Sequence, residues 1–141
     1  MHTSATLIAA AAGTLLVPVF GVAVPAQAAS SYTVTVTCTV PPRQPERQLA
    51  PDSCLNYVPD GTQTFTARVR KADGTAASGV TVHWTDSAKN AHFRLAQNPC
   101  TTNASGSCSA ELVVKRPRRG QKITVTATAE AASDQGYLTF R

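Results

Sequence analysis

The chain has 141 residues, a formal net charge of +5 at pH 7 and four cysteines. This length excludes a large multidomain architecture, because one domain and its leader fill it. The 13 Lys and Arg residues outnumber the 8 Asp and Glu residues, so the composition favours an anionic partner over a cationic one.

The first 28 residues are predicted to be a cleaved secretory signal peptide. An apolar run extends from Ala5 to Val24 and is followed by Ala26-Gln27-Ala28, which has small residues at the two positions that a signal peptidase reads. Prolines and a glycine interrupt the run, which disfavours a membrane anchor, and no later segment is apolar and long enough to span a bilayer. Cleavage after Ala28 would leave residues 29–141 as a single secreted domain.

Alternation of apolar and polar residues predicts seven short β-strands in this domain. One face of each strand is apolar and the other is rich in Thr, Ser, Arg or His, so each strand is expected to be half buried. In chain order, the residues expected to face the core are Tyr32, Val34, Val36, Cys38 and Val40, then Phe65, Ala67 and Val69, then Val80, Val82 and Trp84, then Phe93 and Leu95, then Cys108, Ala110, Leu112 and Val114, then Ile123, Val125, Ala127 and Ala129, and finally Leu138 and Phe140.

Turn-forming residues are predicted to separate these strands. Such segments are "KADGTAASG" (71–79), "NASG" (103–106), "KRPRRG" (115–120) and "SDQG" (133–136). The first connection, residues 41–59, holds five of the nine prolines and is predicted to be a loop outside any sheet interior.

Four cysteines in a small exported chain predict a disulfide framework. Zinc is the alternative, but the cysteines are separated by 15, 45 and 7 residues and form no C-x-x-C pair. Three pairings are possible. Locality favours Cys38–Cys54 and Cys100–Cys108, because each bond would close a loop. The second bond is expected to fix the register of the strand that begins at Ser107.

Seven antiparallel strands with a tryptophan on the third predict an all-β, immunoglobulin-like β-sandwich with two disulfides. Trp84 is then expected to pack between the two sheets and not to serve as a ligand platform.

Three segments resemble the group-one bacterial immunoglobulin-like domains, also called Big-1, of intimin- and invasin-type adhesins. They are "GTQTFTARVRKADGTAASGVTVHW" (61–84), "CTTNASGSCSAEL" (100–112) and "ITVTATA" (123–129). The resemblance implies a non-catalytic binding or cell-surface interaction module in a bacterial secreted protein. It also implies a protein or envelope component as the partner.

Two other resemblances keep alternative functions open. "TVTCTVPPRQPERQLAPDSC" (35–54) is similar to the opening of the small exported subtilisin inhibitors of actinomycetes, which implies a protease inhibitor that presents residues 41–59 or 100–108. "NASGSCSAELVVKRPRRG" (103–120) and "GYLTF" (136–140) resemble the enediyne-carrying apoproteins, which implies a small-molecule carrier.

Nothing in the sequence indicates catalysis. His83 and His92 are expected to be exposed, without a nucleophile or an acidic partner that the spacing brings near. The carboxylates are too scattered for a calcium site or an acid–base pair, and no Gly-rich loop opens a helix. No enzyme activity, cofactor, metal or specific nucleic-acid partner is therefore expected, and a monomer is expected.

A cluster of basic residues is the candidate binding site. On a hairpin tip it would suit an anionic envelope polymer such as teichoic acid. The alternative is a solvated turn that keeps the protein soluble and its edge strands apart, and the lack of interleaved aromatic residues favours this alternative. The five candidate residues are Lys115, Arg116, Arg118, Arg119 and Lys122.

Overall fold

The computed structural model describes residues 29–40 and 47–141, together with Gly21. The predicted signal peptide at residues 1–28 therefore lies outside the described residues, apart from Gly21, and so does the 41–46 part of the proline-rich segment. Within the described residues the chain forms ten β-strands: β1 (Tyr32–Thr39), β2 (Arg47–Ala50), β3 (Ser53–Asn56), β4 (Thr62–Lys71), β5 (Thr81–Asp86), β6 (Ala91–Phe93), β7 (Cys100–Thr101), β8 (Ser107–Val114), β9 (Lys122–Ala129) and β10 (Ala132–Phe140).

The strands form two sheets around one hydrophobic core. One sheet has four strands in the order β1-β4-β8-β6, and the other has six in the order β2-β3-β10-β9-β5-β7. The pairs are antiparallel except for β3 and β10, which run parallel and align Cys54 with Leu138. The all-β prediction is confirmed, but the predictions of seven strands and of wholly antiparallel sheets are wrong.

The extra strands come mainly from residues 47–56, which the sequence predicted to be loop. β2 and β3 pair across a turn at Pro51 and Asp52, so the proline lies between the two strands and not inside either one. Asn56 is fully buried, although the sequence placed it in an exposed loop. Its Nδ2 donates to the Thr62 carbonyl at 2.9 Å, and its Oδ1 accepts the Tyr57 N–H at 2.7 Å, so the buried amide is hydrogen-bonded.

Two further local predictions are wrong. Leu95 was expected to face the core, but it is 92% exposed in a 3₁₀ turn that spans Leu95–Gln97. The "SDQG" segment was expected to be a turn, but it lies inside β10, and the β9–β10 hairpin turns at Glu130 and Ala131 instead.

The predicted alternation otherwise agrees with the observed burial. The apolar faces of β4, β5, β8, β9 and β10 supply most of the buried core. Trp84 is 3% exposed, and its ring centroid lies 5.3 Å from that of Phe93 and 6.5 Å from that of Phe65. The side chain therefore packs in the core as expected. Tyr32, Val34, Val40, Val80 and Cys108 are only partly buried.

Both disulfides have the local pairing that the sequence favoured, and both join one sheet to the other. Cys38 on β1 is bonded to Cys54 on β3, with their Cα atoms 6.2 Å apart. Cys100 on β7 is bonded to Cys108 on β8, with a Cα separation of 6.0 Å. Because each bond links the four-stranded sheet to the six-stranded one, the second bond does more than fix the start of β8.

Candidate anion-binding site

The predicted basic tip lies where two connections leave the sheets side by side. The β6–β8 register pairs Ala91 with Val114. The segment that precedes Ala91, residues 87–90, therefore lies beside residues 115–121, which follow Val114. The Lys115 N–H donates to the Asn90 carbonyl at 2.7 Å, which joins the two connections at the point where they leave the sheet.

The tip of the longer connection is a hydrogen-bonded turn. The Gln121 N–H donates to the Arg118 carbonyl at 2.9 Å, which places Arg119 and Gly120 at the centre of the turn. Gly120 has a φ of 78°, a conformation that glycine adopts without steric cost. The Gly120 N–H donates to the Phe140 carbonyl at 2.8 Å. This bond ties the tip to the end of β10.

Asn90 and Gln121 hold the two connections together through their side-chain amides. Gln121 Nε2 donates to Asn90 Oδ1 at 2.8 Å, and Asn90 Nδ2 donates to the Lys115 carbonyl at 2.9 Å. Gln121 Oε1 accepts the Arg118 N–H at 3.1 Å. Two neutral side chains thereby fix the backbone that carries the charged ones.

These connections enclose an open groove of about 1170 Å³, which we call the basic groove. Its lining includes Asn90, Pro117, Gly120 and Gln121. Five basic residues complete the lining: Lys89, Lys115, Arg116, Arg118 and Arg119. Four of the five predicted residues are thus brought together.

The groove differs from the predicted cluster at two positions. Lys122 begins β9 opposite Thr139 and does not line the groove. Lys89 does line it, although the sequence analysis did not select it. Lys89 is an isolated lysine in "DSAKNAH", 26 residues before Lys115, and only the β6–β8 register brings it to the cluster.

The basic side chains of the groove form no ion pair with a described carboxylate. Within residues 29–40 and 47–141, the one ion pair joins Arg94 to Glu111. Asp86 stands just before residues 87–90, but its Oδ1 accepts the Ala88 N–H at 3.0 Å. Lys89, Lys115, Arg116, Arg118 and Arg119 are exposed, so their positive charges are available to an external anion.

The other sequence candidates are not assembled into a chemical site. His83 is exposed on β5 and His92 on β6, and these strands belong to different sheets. Among the described residues, no three His, Cys, Asp or Glu side chains are grouped as metal ligands would be. In the same part of the chain, no helix has the length and hydrophobicity needed to cross a membrane.

The segments named for protease inhibition adopt paired conformations where they are described. Residues 47–50 and 53–56 belong to the six-stranded sheet. In the 100–108 segment, Cys100 and Thr101 pair with β5, and Asn103 Oδ1 accepts the Ser105 and Ser107 N–H groups at 3.0 and 3.1 Å. The inhibitor hypothesis stays a prediction, which titration of the protein into subtilisin would test.

The sequence matches no profile of a known protein family, and no curated protein is significantly similar to it.

Proposed function

We propose that the protein is a secreted, non-catalytic, immunoglobulin-like binding module that attaches to an anionic polymer of the cell envelope. The observation that carries this proposal is the basic groove, in which five exposed cationic side chains face one concave surface without a described carboxylate partner. A cleft lined by one sign of charge concentrates counter-ions and attracts a polyanion.

The two disulfides support an exported location. Such bonds persist in oxidising compartments and are rare in the cytosol, so the structure indicates an extracellular or periplasmic environment. Two sheets around one core, cross-linked by these bonds, are compatible with the immunoglobulin-like type that the sequence resembles. An envelope polymer would be a partner of the right charge in that environment.

The composition of the groove suits phosphate groups. Three of its five cations are arginines, Arg116, Arg118 and Arg119, and a guanidinium group can bind phosphate oxygens with two parallel hydrogen bonds. Lys89 and Lys115 supply point charges on flexible stems. We therefore expect a poly(glycerol phosphate) chain, as in teichoic acids, to bind in this groove.

Charge reversal tests this function directly. The variant Arg116→Glu/Arg118→Glu/Arg119→Glu is expected to lose binding to immobilised lipoteichoic acid by about 10-fold or more, since three exposed charge contacts of about 0.5 kcal/mol each would be lost. Binding by the unaltered protein should weaken as salt rises, because exposed charges are screened beyond about 8 Å at physiological ionic strength.

A matched control separates the groove from net charge. Arg68→Glu/Arg70→Glu/Lys71→Glu makes the same change in net charge on the exposed residues of β4, which do not line the groove. Equal losses in the two triple variants would show that binding depends on overall charge alone. Unchanged binding in the groove variant would refute the proposal and leave the cluster a role in solubility.

A further inference from the structure

A second concave surface lies at the opposite end of the fold from the basic groove. β1 begins there at Tyr32, and its register opposite Lys71 places that residue at the end of β4. β5 also begins at this end, and β9 ends there before the turn at Glu130. These segments enclose a cleft of about 520 Å³, which we call the polar cleft. Its lining residues are Tyr32, Ser78, Gly79, Val80, Thr81, His83, Thr128 and Glu130.

One wall of the polar cleft is fixed by a buried threonine. Thr102 is 3% exposed. Its Oγ1 donates to the Ala77 carbonyl at 2.6 Å and accepts the Val80 N–H at 2.9 Å. The Gly79 N–H donates to the Thr102 carbonyl at 2.9 Å. The turn that leads into β5 is therefore held from inside the protein, and the wall exists before any ligand arrives.

The opposite wall contains a residue in an unfavourable backbone conformation. Glu130 has a φ of 53°, in the left-handed region that favours glycine or asparagine. It occupies the first position of the two-residue turn between β9 and β10, where glycine would be free of this strain. Strained residues of this kind are concentrated at functional sites. Glu130 is exposed and lines the cleft, so its carboxylate is available to a ligand there.

The floor of the polar cleft offers hydrogen-bonding groups beside an aromatic ring. His83 and Thr128 are directly paired across β5 and β9 and point outward from the sheet. Tyr32 is half buried and packs against the core, which restricts the movement of its ring. Tyrosine combines an apolar ring with a polar hydroxyl, and hydroxyl groups both donate and accept hydrogen bonds.

The chemistry of this lining differs from that of the basic groove. No Lys or Arg lines the polar cleft, and its one ionisable acid is Glu130, so an anionic ligand would be repelled. Its volume lies within the usual range for small-molecule sites. A ligand with many hydroxyl groups and an apolar ring face would match one aromatic ring, one imidazole, one carboxylate and three hydroxyl side chains. We propose that the polar cleft binds one or two residues of a neutral saccharide.

Saturation-transfer NMR with three neutral probes tests this proposal. The probes are cellotriose, maltotriose and N,N′,N″-triacetylchitotriose, each titrated to concentrations well above a dissociation constant of about 1 mM. At least one is expected to receive saturation from the protein, most strongly at ring protons that stack on Tyr32. Glucosamine, which is cationic, is titrated as a control. If none of the three neutral probes binds, or if only glucosamine binds, the proposal is overturned.

Glu130→Gly is the decisive variant because it removes the carboxylate and suits the backbone conformation. It is expected to weaken saccharide binding at least 5-fold while the protein stays folded, and His83→Ala, at an exposed position, is expected to weaken it as well. Unchanged affinity in both variants would place the saccharide elsewhere and refute the assignment.

The two sites can be tested independently, because they lie at opposite ends of the fold. Arg118→Glu/Arg119→Glu in the basic groove should leave saccharide binding unchanged, whereas Glu130→Gly should leave lipoteichoic acid binding unchanged. Loss of saccharide binding in the basic-groove variant would contradict the assignment to the polar cleft.

Discussion

Removal of the Cys100–Cys108 bond by a double substitution to alanine is expected to destabilise the protein by about 3–4 kcal/mol. The two cysteines are 8 residues apart, and the chain-entropy relation gives about 2.5 kcal/mol for a loop of that size. A second contribution comes from Trp84, whose Nε1 donates to Cys100 Sγ at 3.2 Å. Trp84 is only 3% exposed, so its indole N–H would lose this acceptor with little access to water, which costs about 1 kcal/mol.

Urea denaturation followed by circular dichroism measures this loss. In a Trp84→Phe background the disulfide should contribute only about 2.5 kcal/mol, because no indole N–H remains to be satisfied. The Cys38→Ala/Cys54→Ala variant serves as the comparison, with a loop contribution of about 3 kcal/mol from a separation of 16 residues.

Hydrogen exchange distinguishes an inter-sheet bond from a local register clamp. Because the bond joins β7 to β8, its removal should accelerate amide exchange in β5 and β7 as well as at the start of β8. A stability loss below about 1 kcal/mol, or faster exchange confined to residues 102–107, would refute this reasoning.

Four other substitutions have expected outcomes that equilibrium unfolding can check. Trp84→Ala should cost about 3–5 kcal/mol, as aromatic truncations in cores do, and a loss below about 1 kcal/mol would contradict its core position. Gly136→Ala should cost about 1–3 kcal/mol, because the added Cβ would lie 2.7 Å from a core side chain of the other sheet; a neutral effect would mean that the core yields easily. Glu130→Gly should raise stability by about 1 kcal/mol, since left-handed strain is relieved, and a lower stability would show that the Glu130 side chain is itself stabilising. The hydrogen bond from the Thr75 hydroxyl lowers the pKa of Asp73 below its ordinary value of 3.8. Asp73→Asn should therefore be less stable than the unaltered protein at neutral pH, and this difference in stability should shrink as the pH falls through the lowered pKa. A difference that does not depend on pH would exclude this cause.

The strand faces could be predicted from sequence because they follow from a local rule. Alternation with a period of two places Val82 and Trp84 on one face whatever the neighbouring strand is. In the short strands of residues 47–56, buried positions do not coincide with apolar residues, because the buried residue Asn56 is polar. Its burial depends on partners that the fold supplies, among them the Thr62 carbonyl.

The turn predicted at residues 133–136 was wrong because a long-range contact outweighs the local turn preference of these residues. "SDQG" contains residues typical of turns, yet it continues β10. Asp134 Oδ2 accepts the Val36 N–H at 2.7 Å, a bond between residues 98 positions apart. β1 is an edge strand, and this bond satisfies one of its backbone N–H groups, which would otherwise be free to pair with a strand of another molecule. No local window of sequence contains both partners.

In the candidate sites, too, the residues that are close in sequence could be predicted, and those brought together by strand pairing could not. Four of the five predicted basic residues line the basic groove because they are close in sequence, whereas Lys89 joins them through strand pairing alone. The polar cleft was not predicted at all. Tyr32 and Glu130 are 98 residues apart and carry no shared sequence signal, so the cleft becomes visible only when the ends of β1 and β9 are placed together.

Backbone strain links the two proposed sites. Among the described residues, the non-glycine positions with positive φ are Arg116, at 50°, and Glu130, at 53°. One lines the basic groove and the other lines the polar cleft. Glycine at either position would relieve strain, so stability alone does not explain a cation at one end and a carboxylate at the other. If these side chains bind ligands, Arg116→Gly and Glu130→Gly should each raise stability and weaken binding only at their own end. A variant that gained stability and kept its ligand affinity would show that the strain there has no part in binding.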